Sequence, residues 1–182
     1  TSHKFYFDVE YFPFELNTHM AEQGTDLKEY LCRKYGSECK YYELSEHVKR
    51  TAAREDLHFN LEAQHISPNT RNAHRIVLLA HEDDKQSEVV EGLMRAFFTE
   101  GRDLTKTENL IAIAQEAGLD AGRVQLFLNS NTGKVEIEMA EKELHDLGTT
   151  SVPLFIIENR YPISGAQSVE AFTSAFEQVC ES

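Results

Sequence analysis

Val152-Pro153-Leu154-Phe155-Ile156-Ile157, then Glu158-Asn159-Arg160, then Tyr161-Pro162-Ile163, and finally Ser164-Gly165-Ala166-Gln167-Ser168 decide how this chain is read. The first six residues are a compact apolar run, suited to a strand buried on both faces. Pro153 has no N–H to give a ladder, so it fits only where a strand begins. Glu158 to Arg160 supply a turn, and Tyr161 to Ile163 a second, shorter strand. Ser168 then serves as N-cap for an amphipathic helix carrying Val169, Phe172, Phe176 and Val179. Strand, turn, strand, helix is the ending of an α/β domain.

Almost everything before this ending, from 69 to 147, carries helical periodicity. Asn69 or Thr70 opens a helix containing Ile76, Val77, Leu78 and Leu79. A second helix, over about 85–100, has Val89, Val90, Leu93, Met94, Phe97 and Phe98 as its apolar stripe. Gly101, Gly118 and Gly148 fall where helices end. Leu93, Phe97 and Phe98 are expected to be buried between the helices and a sheet. Nearer the start, Thr25 is placed to cap a short helix closed by Gly36, and 41–55 repeats at helical spacing with Tyr42, Leu44, Val48 and Ala52 inward. Residues 4–12, Lys-Phe-Tyr-Phe-Asp-Val-Glu-Tyr-Phe, read as a strand with Phe5, Phe7, Val9 and Tyr11 on one face. The order is therefore strand, many helices, strand-strand-helix. That order describes an α/β fold with a large all-helical insertion: 1–17 strand region, 18–130 insertion, 131–182 closing helix-strand-strand-helix.

Charge and cysteine content narrow the function. With 18 Lys+Arg against 31 Asp+Glu, the net charge is -13. Nucleic acid and anionic membrane surfaces both call for a basic face, so neither is expected as a partner. No apolar run of about 18 residues is present to span a membrane. Three cysteines, an odd number, do not form a secreted disulfide framework, which points to a reducing, cytoplasmic setting. Cys32, Cys39 and Cys180 contain no C-x-x-C spacing. Burial as small hydrophobes is the expectation for Cys32 and Cys180, while a Cys32–Cys39 disulfide stays open. His74 and His81 lie seven apart, not at the three or four that helical metal ligands usually show, so no metal is expected. Phosphate loop, nucleophile elbow and dinucleotide fingerprint are all missing.

Five stretches taken together carry a resemblance. They are Pro13-Phe-Glu-Leu-Asn17, Asn69-Thr70 with Ala73-His-Arg75, Arg95-Ala-Phe-Phe-Thr-Glu-Gly-Arg102, Val152-Pro-Leu-Phe155 and Ile163-Ser-Gly-Ala-Gln167. In this order and spacing the chain, from residue 4 to its end, resembles the FrnE branch of the DsbA-like thioredoxin-fold proteins. Relatives of that branch are described as 2-hydroxychromene-2-carboxylate isomerase-like. It departs from the family pattern at Tyr11-Phe12, where Trp and a basic residue are usual, and at Thr18, where Pro is common.

The resemblance implies a thioredoxin fold with a helical insertion and a thiol–disulfide oxidoreductase or isomerase acting on cysteine-containing polypeptides, monomeric or homodimeric, with no cofactor. It implies a cis Val152–Pro153 bond at the active-site groove, with Pro153 facing the reactive thiol and Ser151 and Val152 setting substrate preference. Phe14, Asn69 and Thr70 are the further substrate-side residues implied. The family's Cys-x-x-Cys pair sits at a helix N-terminus, where the dipole and free amides lower a thiol pKa. It belongs to a preceding strand-helix unit of about 30 residues, and the resemblance places that unit ahead of residue 4. In the family fold its strand lies between 4–12 and 153–157, so both would lack a ladder neighbour without it. A partner chain could supply such a strand by exchange. Two alternatives share the resemblance: a glutathione-dependent isomerase of small aromatic compounds, and a redox-inactive binding module.

Overall fold

The computed structural model describes residues 5–146, 148–149 and 151–180. A two-residue strand, β1 (Thr25–Asp26), leads directly into α1 (Leu27–Tyr35), followed by α2 (Glu38–Ala53). After a single turn of 3₁₀ helix at Leu61–Ala63 comes β2 (Ile66–Ser67), which pairs antiparallel with β1. The helices α3 (Arg71–His81), α4 (Gln86–Phe98), α5 (Thr107–Glu116), α6 (Ala121–Asn129) and α7 (Lys134–Asp146) follow without interruption. The chain closes with β3 (Leu154–Ile157), β4 (Tyr161–Ser164) and α8 (Val169–Cys180). Helix α8 starts as expected, with the Ser168 hydroxyl accepting from the Ala171 N–H at 3.3 Å. Among the described residues no helix is long and apolar enough to cross a membrane.

The core is the helical block. α3 packs on α4, α4 on α5 and α5 on α6, enclosing Ile76, Val89, Leu110, Ile113 and Val124, all essentially without solvent contact. Each helix contributes apolar residues at the three- and four-residue spacing that keeps one stripe inward. Gly101 lets α4 turn back on the 3₁₀ turn. Its φ is +67°, and a Cβ there would lie 2.5 Å from the Ala63 Cβ. Arg75 is buried at the centre of the block. Its guanidinium donates to the carbonyls of Phe127, Leu128, Ser130 and Thr132 and to Asn72 Oδ1, at 2.7–3.2 Å. The cation so satisfies the orphan carbonyls at the C-terminus of α6, where the helix dipole is negative.

Several expectations are corrected. The described part of the 4–12 strand, 5–12, pairs with no other described strand. Side chains hold it instead: Gln86 Oε1 accepts from the Tyr11 N–H, Gln86 Nε2 donates to the Tyr11 carbonyl, and Phe5 and Phe7 pack on Phe176. Alternating apolar residues favour an extended backbone, but a strand exists only where a second backbone lies alongside. β3 is likewise not buried on both faces, since Phe155 and Ile156 are 42% and 45% exposed. Asp26 rather than Thr25 caps α1, its carboxylate accepting from the Glu29 N–H at 2.8 Å. Tyr42 and Val48 point outward from α2, and Met94 outward from α4. Phe97 and Phe98 are half-buried, and Phe98 stacks on Phe59 at 4.9 Å, within the helical block rather than against a sheet. Cys32, Cys39 and Cys180 are free thiols, Cys32 half-buried and the other two exposed, so neither the disulfide nor burial of Cys180 is found.

Candidate functional site

Helix α7 delivers the chain to the loop that matters. At its end Gly148, at φ +78°, donates its N–H to the His145 carbonyl, and the Thr149 N–H reaches the Leu144 carbonyl. This left-handed exit is open to glycine at little cost. The Val152–Pro153 peptide bond is cis. Pro153's carbonyl accepts from the Gly165 N–H at 2.8 Å, anchoring the loop to the end of β4. Ser151, Val152 and Pro153 are all exposed, Val152 at 43%. Among the described residues, neither backbone group of Val152 has a hydrogen-bond partner. A cleft of about 340 Å³ runs beside this loop, lined by Ser151, Leu154, Ile156, Arg160 and Ser164 among others.

Phe14 reaches the same helix end. Its ring is half-buried, 6.2 Å from the His145 ring on the last turn of α7. Asn69 has a different occupation. Its Nδ2 donates to the Met20 carbonyl at 2.7 Å and its Oδ1 accepts from the Arg71 N–H at 3.0 Å. Both ends of the amide are thus committed to joining the loop at Met20 to the start of α3. Thr70, the residue before α3, is half-buried and makes no side-chain capping bond.

Beneath Phe14 lies a charged cluster that reading the sequence missed. Glu15 is buried, and its Oε2 accepts two bonds from Arg71, from Nε at 3.0 Å and Nη2 at 2.9 Å. Its backbone N–H donates to Glu141 Oε1 at 3.0 Å, tying the loop to α7. His74 bonds the Phe14 backbone, and burial holds its imidazole below the ordinary value, partly offset by the Glu15 charge. Burial likewise pushes the Glu141 carboxyl up, with the Glu15 charge adding to it and the Glu15 N–H and Arg71 opposing. One signal was available in the sequence: Glu141 stands four residues after the buried Ile137, on the inward face of α7. Among the described residues no group of His, Cys, Asp and Glu is arranged to hold a metal ion.

A helical block set between an N-terminal extended segment and a closing β-hairpin plus helix is consistent with a thioredoxin-like fold that carries an all-helical insertion. Residues 2–177 match the family model of the DSBA-like thioredoxin domain, and the chain belongs to that family. Among solved structures it is similar to a probable DsbA oxidoreductase from Streptomyces coelicolor, with 30% identity and a TM-score of 0.83. That match covers 91% of this chain and 72% of the other. It also shares the fold of a candidate protein disulfide isomerase from Nitrosomonas europaea at 16% identity and a TM-score of 0.64, over 78% of this chain and 74% of that one. Comparison with the curated proteins gave no match.

Proposed function

We propose that the chain forms the substrate-binding side and helical lid of a thiol–disulfide oxidoreductase of the FrnE type, acting on cysteines of polypeptides. The observation that carries this reading is the exposed 151–153 loop, whose Val152 backbone has no partner among the described residues, in a chain 30% identical to a probable DsbA oxidoreductase. An extended peptide can pair with such a backbone as an added strand does at a sheet edge. Ser151 and Val152 would then touch the residues flanking the substrate cysteine, and Phe14 would supply an apolar wall. The attacking thiol pair is not among Cys32, Cys39 and Cys180. In this reading it comes from a segment outside residues 1–182, as the family resemblance implies.

Turnover of insulin disulfides by the natural full-length protein tests the reading. Replacing Cys32, Cys39 and Cys180 together by Ser should leave that turnover intact. Val152→Lys should raise KM by about tenfold, equivalent to about 1.4 kcal/mol of lost binding, with kcat little changed. Loss of turnover in the triple Ser variant, with its circular dichroism unchanged, would sink the assignment of the thiols. An unaltered KM in Val152→Lys would remove the loop from substrate binding.

A further inference from the structure

Two carboxyl groups and one guanidinium meet where residues 13–15 pack on α3 and α7. Glu15 is 5% exposed, and its Oε1 has no hydrogen-bond partner among the described residues, although its Oε2 takes two bonds from Arg71. Buried polar atoms in folded proteins are nearly always paired, so an orphaned carboxylate oxygen demands a donor. Glu141 is the group beside it. Its Oε1 accepts the Glu15 N–H, and its side chain is within hydrogen-bonding reach of the Glu15 carboxyl.

The charge count points the same way. With both carboxyls ionised, the buried group carries two negative charges against the single Arg71, an uncompensated charge that a buried setting penalises heavily. The other titratable neighbours do not restore the balance. His74, from α3, is held toward its neutral form by burial. Glu138, from α7, lies 3.9 Å from Arg71 Nη1 and adds a further negative charge at the exposed rim. His145, also on α7, lies with its ring tilted against that of Phe14 at 6.2 Å.

We infer that Glu141 carries a proton in the folded protein and donates it to Glu15 Oε1, so that the two carboxyls form a proton-dependent clasp fastening the 13–15 segment to α7. One proton satisfies the orphaned oxygen and leaves a single negative charge against Arg71. The clasp bears on the 151–153 loop by position, because Glu141 lies on the last turns of α7, whose Leu144 and His145 carbonyls accept from the Thr149 and Gly148 N–H groups just ahead of that loop. Folding takes up this proton above the ordinary carboxyl value of 4.5. The clasp's contribution is therefore complete at low pH and is lost as pH rises through the elevated pKa. The 13–15 segment loosens on the alkaline side.

Infrared spectroscopy of the chain at pH about 6, where ordinary carboxyls are ionised, reads the proton directly. A protonated-carboxyl C=O band should be present and should vanish in Glu141→Gln. That variant is isosteric and keeps both contacts, its amide donating to Glu15 Oε1 and accepting the Glu15 N–H. Its thermal midpoint at neutral pH should equal or exceed the parent's, and the decline of midpoint with rising pH should flatten. No band at pH about 6, or a midpoint well below the parent's in Glu141→Gln, would overturn the clasp, since either means that Glu141 serves as an anion.

Discussion

The closing α/β end is richer in apolar residues than the helical block, yet it is the less well covered of the two. In the block, Ile76, Ile113 and Val124 have no solvent contact and α3 alone buries six residues. In α8 no residue is buried, although Phe172 and Phe176 pack with Phe155, Phe5 and Phe7 in an aromatic run. Val169 stays 69% exposed. The contrast teaches where the stability of these residues resides. A helix bundle closes its own backbone hydrogen bonds and needs only side-chain packing, whereas a sheet of two strands leaves each outer edge open. An apolar α/β surface without a neighbouring strand is half a core.

The sharpest break in this comparison should come from Arg75. Arg75→Leu strips donors from four carbonyls, that of Leu128 buried and the others part-buried, and a buried one costs about 1–3 kcal/mol when left unpaired. A total loss of at least about 3 kcal/mol is expected in urea denaturation. A loss under about 1 kcal/mol would mean that water replaces the guanidinium and that the block is looser than its burial indicates. Ile113→Val, a single methyl removed from the same core, should cost about 0.5–1.5 kcal/mol.

The acid limb of the stability profile should come next. His74 sits below its ordinary value of 6.5 because it is buried. As pH falls below 6.5, the unfolded chain takes up a proton that the folded imidazole resists, so stability is lost toward acid. Thermal midpoints of a His74→Phe variant should show a shallower acid decline than the parent. This is opposite in sign to the loss expected from Glu141 toward alkaline pH, so the two can be separated by mutating one at a time. At the smallest end, Val169→Thr should alter stability by no more than about 0.5 kcal/mol. A larger cost would show that α8 is better covered than its exposure implies.

Much of the helical block was legible because its code is local. A 3.6-residue stripe, a capping side chain and a left-handed glycine are properties of neighbours in sequence, which is why α3, α4 and the exits at Gly101, Gly118 and Gly148 could be read directly. Turn and strand signals at 153–164 worked for the same reason. The stretch 5–12 could not be read this way. Its alternation states that one side would be apolar if paired, but a ladder depends on a second backbone brought alongside from elsewhere in the fold.

At the candidate site the division is similar. Ser151, Val152 and Pro153 were named from one motif and Phe14 from another, and the structure puts the first three in an exposed loop and Phe14 beside the end of α7. Asn69 was found too, but its amide proves to join the Met20 loop to α3. The sequence by itself determined the family, the closing strand-turn-strand-helix, the helical character of 69–147 and the approximate extents of α3 and α4, because these rest on periodicity, turn chemistry and short motifs, whereas β1, β2 and the unpaired state of 5–12 were not legible. Only the tertiary structure decided that Glu15, Arg71, His74 and Glu141 meet, drawn from positions up to 126 residues apart. A charged residue has the same letter whether it is solvated or buried, and its chemistry is fixed by which other charges the packing brings within reach.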